Sequence, residues 1–112
     1  MKKLIRASAA TLVLALAPGP ARAAPDDVGQ DVYNARCATC HGRDGKAKTP
    51  IGVKLKTADL TQGAVWKDLT DAVIIKVIDE GTADKAMPPY KGSFSAEETA
   101  ALVKYLRGFQ PK

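Results

Sequence analysis

Cys37-Ala38-Thr39-Cys40-His41 is the stretch on which the reading of this chain turns. Its spacing, C-x-x-C-H, is that of a c-type haem attachment site. One turn of helix can aim two thiols at this separation to the same side. The histidine that follows at once can sit under the same porphyrin. The implied chemistry is two thioether bonds from Cys37 and Cys40 to the haem vinyl groups and one iron bond from a His41 ring nitrogen. Three plainer readings compete. A disulfide across C-x-x-C closes a tiny loop and would stabilise little. A zinc site normally takes four ligands with wider spacing than Cys37, Cys40 and His41 offer. An exported thiol redox protein of the thioredoxin type needs βαβ units, and the sequence shows little sign of strands.

Upstream, Met1-Lys2-Lys3-Leu4-Ile5-Arg6 is basic and free of acid, and a mostly apolar run of 11 residues follows from Ala7 to Ala17. Pro18-Gly19-Pro20 stops any helix, and Ala21-Arg22-Ala23 is a small-x-small cleavage pattern. This is the layout of a secretory signal peptide. The apolar run falls short of the roughly 20 residues that a spanning helix requires. The expected organisation is a leader over 1–23 and one small domain over 24–112, exported to the periplasm and not inserted stably in a membrane. Such a short domain can bury only a modest core, and a covalently held haem would give that core a large apolar body to close around.

The chain holds 17 basic and 12 acidic residues. Loss of Lys2, Lys3, Arg6 and Arg22 with the leader leaves 13 basic against 12 acidic, so the basic precursor gives no argument for nucleic-acid binding. The distribution says more. Arg43, Lys46, Lys48, Lys54 and Lys56 crowd one segment, with Asp44 as the acid among them. This is either a solvated loop or a positive rim that steers an acidic redox partner. Lys85 and Lys91 flank a second loop that could complete the rim.

The pattern along the domain is helix, loop, helix, loop, helix. Asp26 or Asp27 can cap a first helix to about Ala38, with Gly29, Tyr33 and Cys37 on one stripe. Close approach of another helix would explain a glycine in that interior. Gly42, Gly45, Pro50 and Gly52 make 42–52 irregular, and 59–66 suits short helical turns. Thr70 and Gly81 bracket a helix with an apolar face of Ile74, Ile75, Val77 and Ile78. Thr82 to Phe94 is a loop stiffened by Pro88 and Pro89. Ser95-Ala96-Glu97-Glu98 is a capping box. It opens a last helix whose Leu102, Tyr105, Leu106 and Phe109 should face the first helix, with Tyr105 near Gly29.

Haem iron held by His and Met is the ligation of electron-carrying c-type cytochromes. With Met1 in the leader, Met87 is the sixth-ligand candidate opposite His41. Filling both axial positions leaves no place for a substrate. An apolar lining would come from Leu55, Leu60, Val65, Ile74, Ile78 and Leu102. The other His41 N–H needs an acceptor, for which the Pro50 carbonyl is the candidate. Trp66 is open to two readings, a core indole or a donor to a haem propionate.

Taken together, Gly29-x-x-x-Tyr33-x-x-x-Cys37-x-x-Cys40-His41, Gly81 before Met87-Pro88, and Tyr105-Leu106 resemble a class I c-type cytochrome of the short exported bacterial kind. The resemblance covers essentially the whole 24–112 domain. It implies an all-α cytochrome c fold, with three to five helices wrapped around one covalent haem c and the terminal helices crossing. It further implies Cys37 and Cys40 as haem attachment points, His41 and Met87 as axial ligands, and the Pro50 carbonyl and Trp66 in supporting roles. The expected function is a monomeric periplasmic one-electron shuttle, not an enzyme. It would meet redox proteins through a rim that includes Lys46, Lys48, Lys85 and Lys91. A dedicated cytochrome subunit of a respiratory or dehydrogenase complex is the alternative within the class. A haem protein with an open sixth position, binding gases or substrates, is a further variant.

Overall fold

In the computed structural model, Thr11 and residues 25–112 are described; the leader expected over 1–23 lies, Thr11 apart, outside them. Among the described residues, five α-helices and one 3-10 turn follow in order. They are α1 (Pro25–Arg36), α2 (Ala38–His41), α3 (Pro50–Leu55), the 3-10 turn (Gly63–Trp66), α4 (Asp71–Glu80) and α5 (Ala96–Arg107). Among the described residues there is no strand.

The first helix already includes Asp26 and Asp27, so neither caps it. Asp27 lies instead in its first turn, where acid complements the helix macrodipole. It ends at Arg36, yet Cys37 barely interrupts the spiral. Cys37 N–H still donates to the Tyr33 carbonyl at 2.8 Å, and His41 N–H donates to the Cys37 carbonyl at 2.9 Å. The expected single helix to Ala38 is therefore two segments with a hinge at the first cysteine.

The two terminal helices cross at Gly29. A Cβ at that position would overlap the Ala101 carbonyl oxygen and lie 2.9 Å from Tyr105 Cβ. Hydrogen there lets α1 and α5 meet backbone to backbone, which offsets the intrinsic helix penalty of glycine. Tyr33, fully buried, fits between Tyr105 and Phe109, with ring centroids 5.2 Å away in both cases. Its hydroxyl donates to the Gly42 carbonyl at 2.6 Å. A buried phenol without such a partner would be costly. Leu102 is the other fully buried large side chain, and burying one of this size contributes about 1.5–3 kcal/mol.

Helix α4 starts where Thr70 Oγ1 accepts the Val73 N–H at 3.2 Å, and it turns Ile74 and Ile78 into the core. The capping box at α5 forms in full. Ser95 Oγ accepts the Glu98 N–H at 3.0 Å and Glu98 Oε1 accepts the Ser95 N–H at 2.9 Å. Arg107 ties this helix to the middle of the chain. Its guanidinium reaches Asp71 at 2.7 Å and the Leu69 carbonyl at 3.1 Å, and it lies 5.8 Å from the Trp66 ring.

The segment 42–52, expected to be irregular, contains the start of α3. Thr49 caps it, with Oγ1 accepting the Gly52 N–H at 2.9 Å, and Pro50 occupies its first turn. Proline suits that place because the N–H it lacks would have no helical partner there. The Thr49 hydroxyl also donates back to the Thr39 carbonyl at 2.6 Å. One side chain thus starts α3 and fastens it to the cysteine stretch.

Candidate functional site

An apolar cavity of about 340 Å³ opens beside α2, and Cys37, Cys40, His41 and Met87 all line it. The six apolar residues expected to form such a lining (Leu55, Leu60, Val65, Ile74, Ile78 and Leu102) all do so. Each approaches from a different turn of the fold. Leu55 ends α3, Leu60 and Val65 come from the short turns, Ile74 and Ile78 from one face of α4, and Leu102 from α5.

Both cysteines are free thiols. Burial, reinforced by neighbouring Cys40, pushes the Cys37 thiol up to about 11. The group is therefore held as S–H, the form whose net addition across a vinyl gives a thioether. His41 is half-buried, and burial holds its imidazole below the ordinary value of 6.5 against the opposing pull of a hydrogen bond to Ala58. A neutral ring is the state that binds a metal.

The His41 acceptor is the carbonyl of Ala58, 3.0 Å from Nδ1. This corrects the assignment to Pro50. Pro50 sits in the first turn of α3, where its carbonyl belongs to the helix ladder, while the irregular stretch 57–59 brings the Ala58 carbonyl onto the ring. With Nδ1–H donated to Ala58, the lone pair resides on Nε2.

The Trp66 indole is buried in the core cluster and its N–H donates to the Leu60 carbonyl at 2.7 Å. Its ring also lines the cavity. The basic groups that line the cavity, and so suit carboxylates, are Arg36 and Lys56.

Met87 lies between Gly81 and Tyr90 in a loop tied down at several points. Tyr90 N–H donates to the Ile78 carbonyl at 2.9 Å. Its hydroxyl donates to the Arg36 carbonyl at 3.2 Å, one residue before Cys37. Its ring stacks on Phe94 with centroids 5.5 Å apart. The Met87 loop is thereby fastened to the end of the helix that leads into the attachment stretch. Tyr90 itself lines the cavity, and burial, together with the nearby Cys37 and Cys40, raises its phenol above the usual tyrosine value. Sequence reasoning missed Thr49, Ala58 and Tyr90. The Ser/Thr-to-Gly cap spacing at Thr49 was a readable signal; the other two act through tertiary contacts.

The residues present fit a covalently attached haem. They supply two thiols, a neutral imidazole with its free nitrogen, a thioether, an apolar lining and two cations. Among the described residues no side-chain nitrogen or oxygen is buried without a hydrogen-bond partner, and no helix is long and apolar enough to cross a membrane.

Comparison with known proteins agrees with this site. Residues 24–106 match the family described as cytochrome c oxidase, cbb3-type, subunit III. The cbb3-type cytochrome c oxidase subunit FixP of Azorhizobium caulinodans is 35% identical over 91 residues. That match takes in 80% of this chain but only 28% of the FixP length. Cytochrome c6 of Picosynechococcus sp. is 32% identical over 111 residues, covering 95% of this chain and 92% of that protein. The solved structure of the KustC0563 c-type cytochrome superposes with a TM-score of 0.67 at 36% identity, over 74% of this chain and 98% of the other.

Proposed function

This chain belongs to the small class I c-type cytochromes, and on that premise we propose that it is a periplasmic one-electron carrier whose haem iron is held by His41 and Met87. As in its family, the haem c is covalent, and Cys37 and Cys40 are the two cysteines of the chain. When bound, the haem supplies an iron that cycles between Fe(III) and Fe(II).

One observation carries the reading. Residues from two segments far apart in sequence, His41 and Met87, line one apolar cavity together with both thiols. The protein's own work is then positional. The Ala58 carbonyl fixes the His41 ring and its tautomer. The anchored loop presents a soft, neutral thioether. The apolar wall excludes water and disfavours additional positive charge, which favours the reduced state. If His41 and Met87 both held the iron, no position would be open to substrate, and electron transfer is the chemistry the haem would supply. Carbon monoxide tests this. The reduced holoprotein should bind it negligibly, whereas Met87→Ala should bind it readily and titrate at a lower potential. If Met87→Ala changes neither property, the ligand assignment is wrong.

The docking face we propose is the mouth of the cavity at α3. Ile51, Val53 and Leu55 are large apolar side chains left exposed there, Val53 at 65%. Lys46, Lys48, Lys54 and Lys56 flank them in the sequence and are exposed, as are Lys85 and Lys91 at the Met87 loop. An apolar centre with a cationic rim suits a brief encounter with an acidic redox protein.

The match to an oxidase-subunit family favours one second reading, a dedicated subunit of a terminal oxidase. Fractionation of the native host separates the two. A free carrier is released with the soluble periplasmic contents, and a subunit co-purifies with its complex from membranes.

A further inference from the structure

The backbone of Met87 is gripped on both of its polar groups by one residue. Its N–H donates to Thr82 Oγ1 at 3.1 Å, and its carbonyl accepts the Thr82 N–H at 3.1 Å. The Thr82 hydroxyl is itself locked, because its proton is donated to Asp84 Oδ1 at 2.6 Å. An ionised carboxylate can only accept, and a backbone N–H can only donate. The hydroxyl therefore has one consistent orientation, from Met87 N–H through Oγ1 to Asp84. The same Oδ1 takes the Ala86 N–H at 3.0 Å. Gly81 completes the grip. Its φ is 70°, and a Cβ there would overlap the Met87 carbonyl oxygen, so the end of α4 rests directly on the Met87 backbone.

The sequence after Met87 explains why such a grip is needed. Pro88 and Pro89 have no backbone N–H, so the next main-chain donor is Tyr90. Between Ala86 and Tyr90, Met87 offers the one N–H by which the loop can be held. Thr82 takes it.

We propose that Thr82, locked by Asp84, is a positioning residue for Met87 that holds its thioether on the iron against replacement by external ligands. This rests on the reading of Met87 as axial ligand. Thr82 is exposed and touches neither thiol nor His41 in any hydrogen bond. Thr82 and Asp84 also line the cavity, so Thr82→Ser, which keeps the hydroxyl and both its bonds, separates an effect through Met87 from a change in the cavity wall.

The test uses the haem-loaded protein. Thr82→Val keeps the shape and removes both hydroxyl bonds, Thr82→Ser keeps both bonds, and Met87→Ala marks complete loss of the ligand. Two readouts follow the iron–sulfur bond directly: carbon monoxide affinity of the reduced form, and the far-red sulfur-to-iron charge-transfer absorbance of the oxidised form. For an exposed pair of hydrogen bonds, Thr82→Val should raise carbon monoxide affinity by about threefold to tenfold. It should also move loss of the far-red absorbance to milder temperature. Thr82→Ser should restore the parent values, and Asp84→Ala, which frees the hydroxyl to rotate, should shift both readouts the same way by less. Asp84→Ala carries the test alone if Thr82→Val does not load haem. The proposal is overturned if Met87→Ala moves both readouts while Thr82→Val, or in its place Asp84→Ala, leaves them at parent values. If Met87→Ala itself leaves them unmoved, the ligand reading fails and the positioning role fails with it.

Discussion

Nδ1 of His41 lies 3.0 Å from the carbonyl oxygen of Ala58. Two residues separated by all of α3 thus fix the tautomer of the ring at the centre of the site. Because burial lowers the His41 pKa below 6.5, the neutral ring is the favoured form in the folded state. The sign follows. The favourable contribution is complete above 6.5 and is lost as the pH falls through the depressed value. In the haem-free chain, where Nε2 is not bound, thermal stability should therefore hold from neutral pH down to 6.5 and fall only in more acid solution, as followed by circular dichroism across a pH series. A fall centred above 6.5 would contradict the burial of this ring.

The crossing of α1 and α5 gives a second prediction. In Gly29→Val the new side chain would drive into the Ala101 carbonyl and the Tyr105 side chain. Overpacking of this kind costs about 1–3 kcal/mol, and a domain of this size loses roughly 4–8 °C of Tm for each kcal/mol. Thermal unfolding followed by circular dichroism should show the fall. An unchanged Tm would mean that the two helices are not in backbone contact.

Trp66 separates a structural role from a cofactor role. Trp66→Phe removes the donor that satisfies the Leu60 carbonyl and should cost about 1–3 kcal/mol. The reduction potential should stay at its parent value. A shifted potential with unchanged stability would return Trp66 to a propionate contact.

The α3 face makes an electrostatic prediction. Charge reversal by Lys54→Glu with Lys56→Glu should slow electron transfer to an acidic redox protein by about tenfold at low ionic strength. The difference should shrink as salt is raised, since screening acts within about 10 Å at 0.1 M. Stopped-flow transfer rates across a salt series provide the measurement, and a variant as fast as the parent at low salt would move the docking face elsewhere.

Much of this architecture was legible in the residues themselves. Cys37, Cys40 and His41 announce their chemistry by spacing, and Thr70 with Gly81 and Ser95 with Glu98 set the ends of α4 and α5 by local capping. Gly29 opposite Tyr105 followed from the need to explain a glycine within a helix. Helix α3 was hidden because Pro50 and Gly52 read as breakers. Proline at the first turn after a Thr49 cap begins a helix, and that distinction depends on which residue is taken as the cap. Ala58 and Leu60 could not be found at all. Each acts through its carbonyl, a group that every residue carries, so only the path of the chain decides which one meets His41 and which one meets Trp66. Thr82 was invisible for a related reason. Its hydroxyl serves the backbone of Met87, and nothing in the spacing separates that role from an ordinary loop threonine.

The central claim is that one covalent haem, closed on both sides by His41 and Met87, moves single electrons. Redox titration of the purified haem-loaded protein, followed by absorbance and repeated under carbon monoxide, tests it most directly. The account predicts one reversible one-electron transition between two low-spin spectra, unaltered by the gas. A high-spin spectrum in either state, or a reduced form that binds carbon monoxide readily, would contradict it.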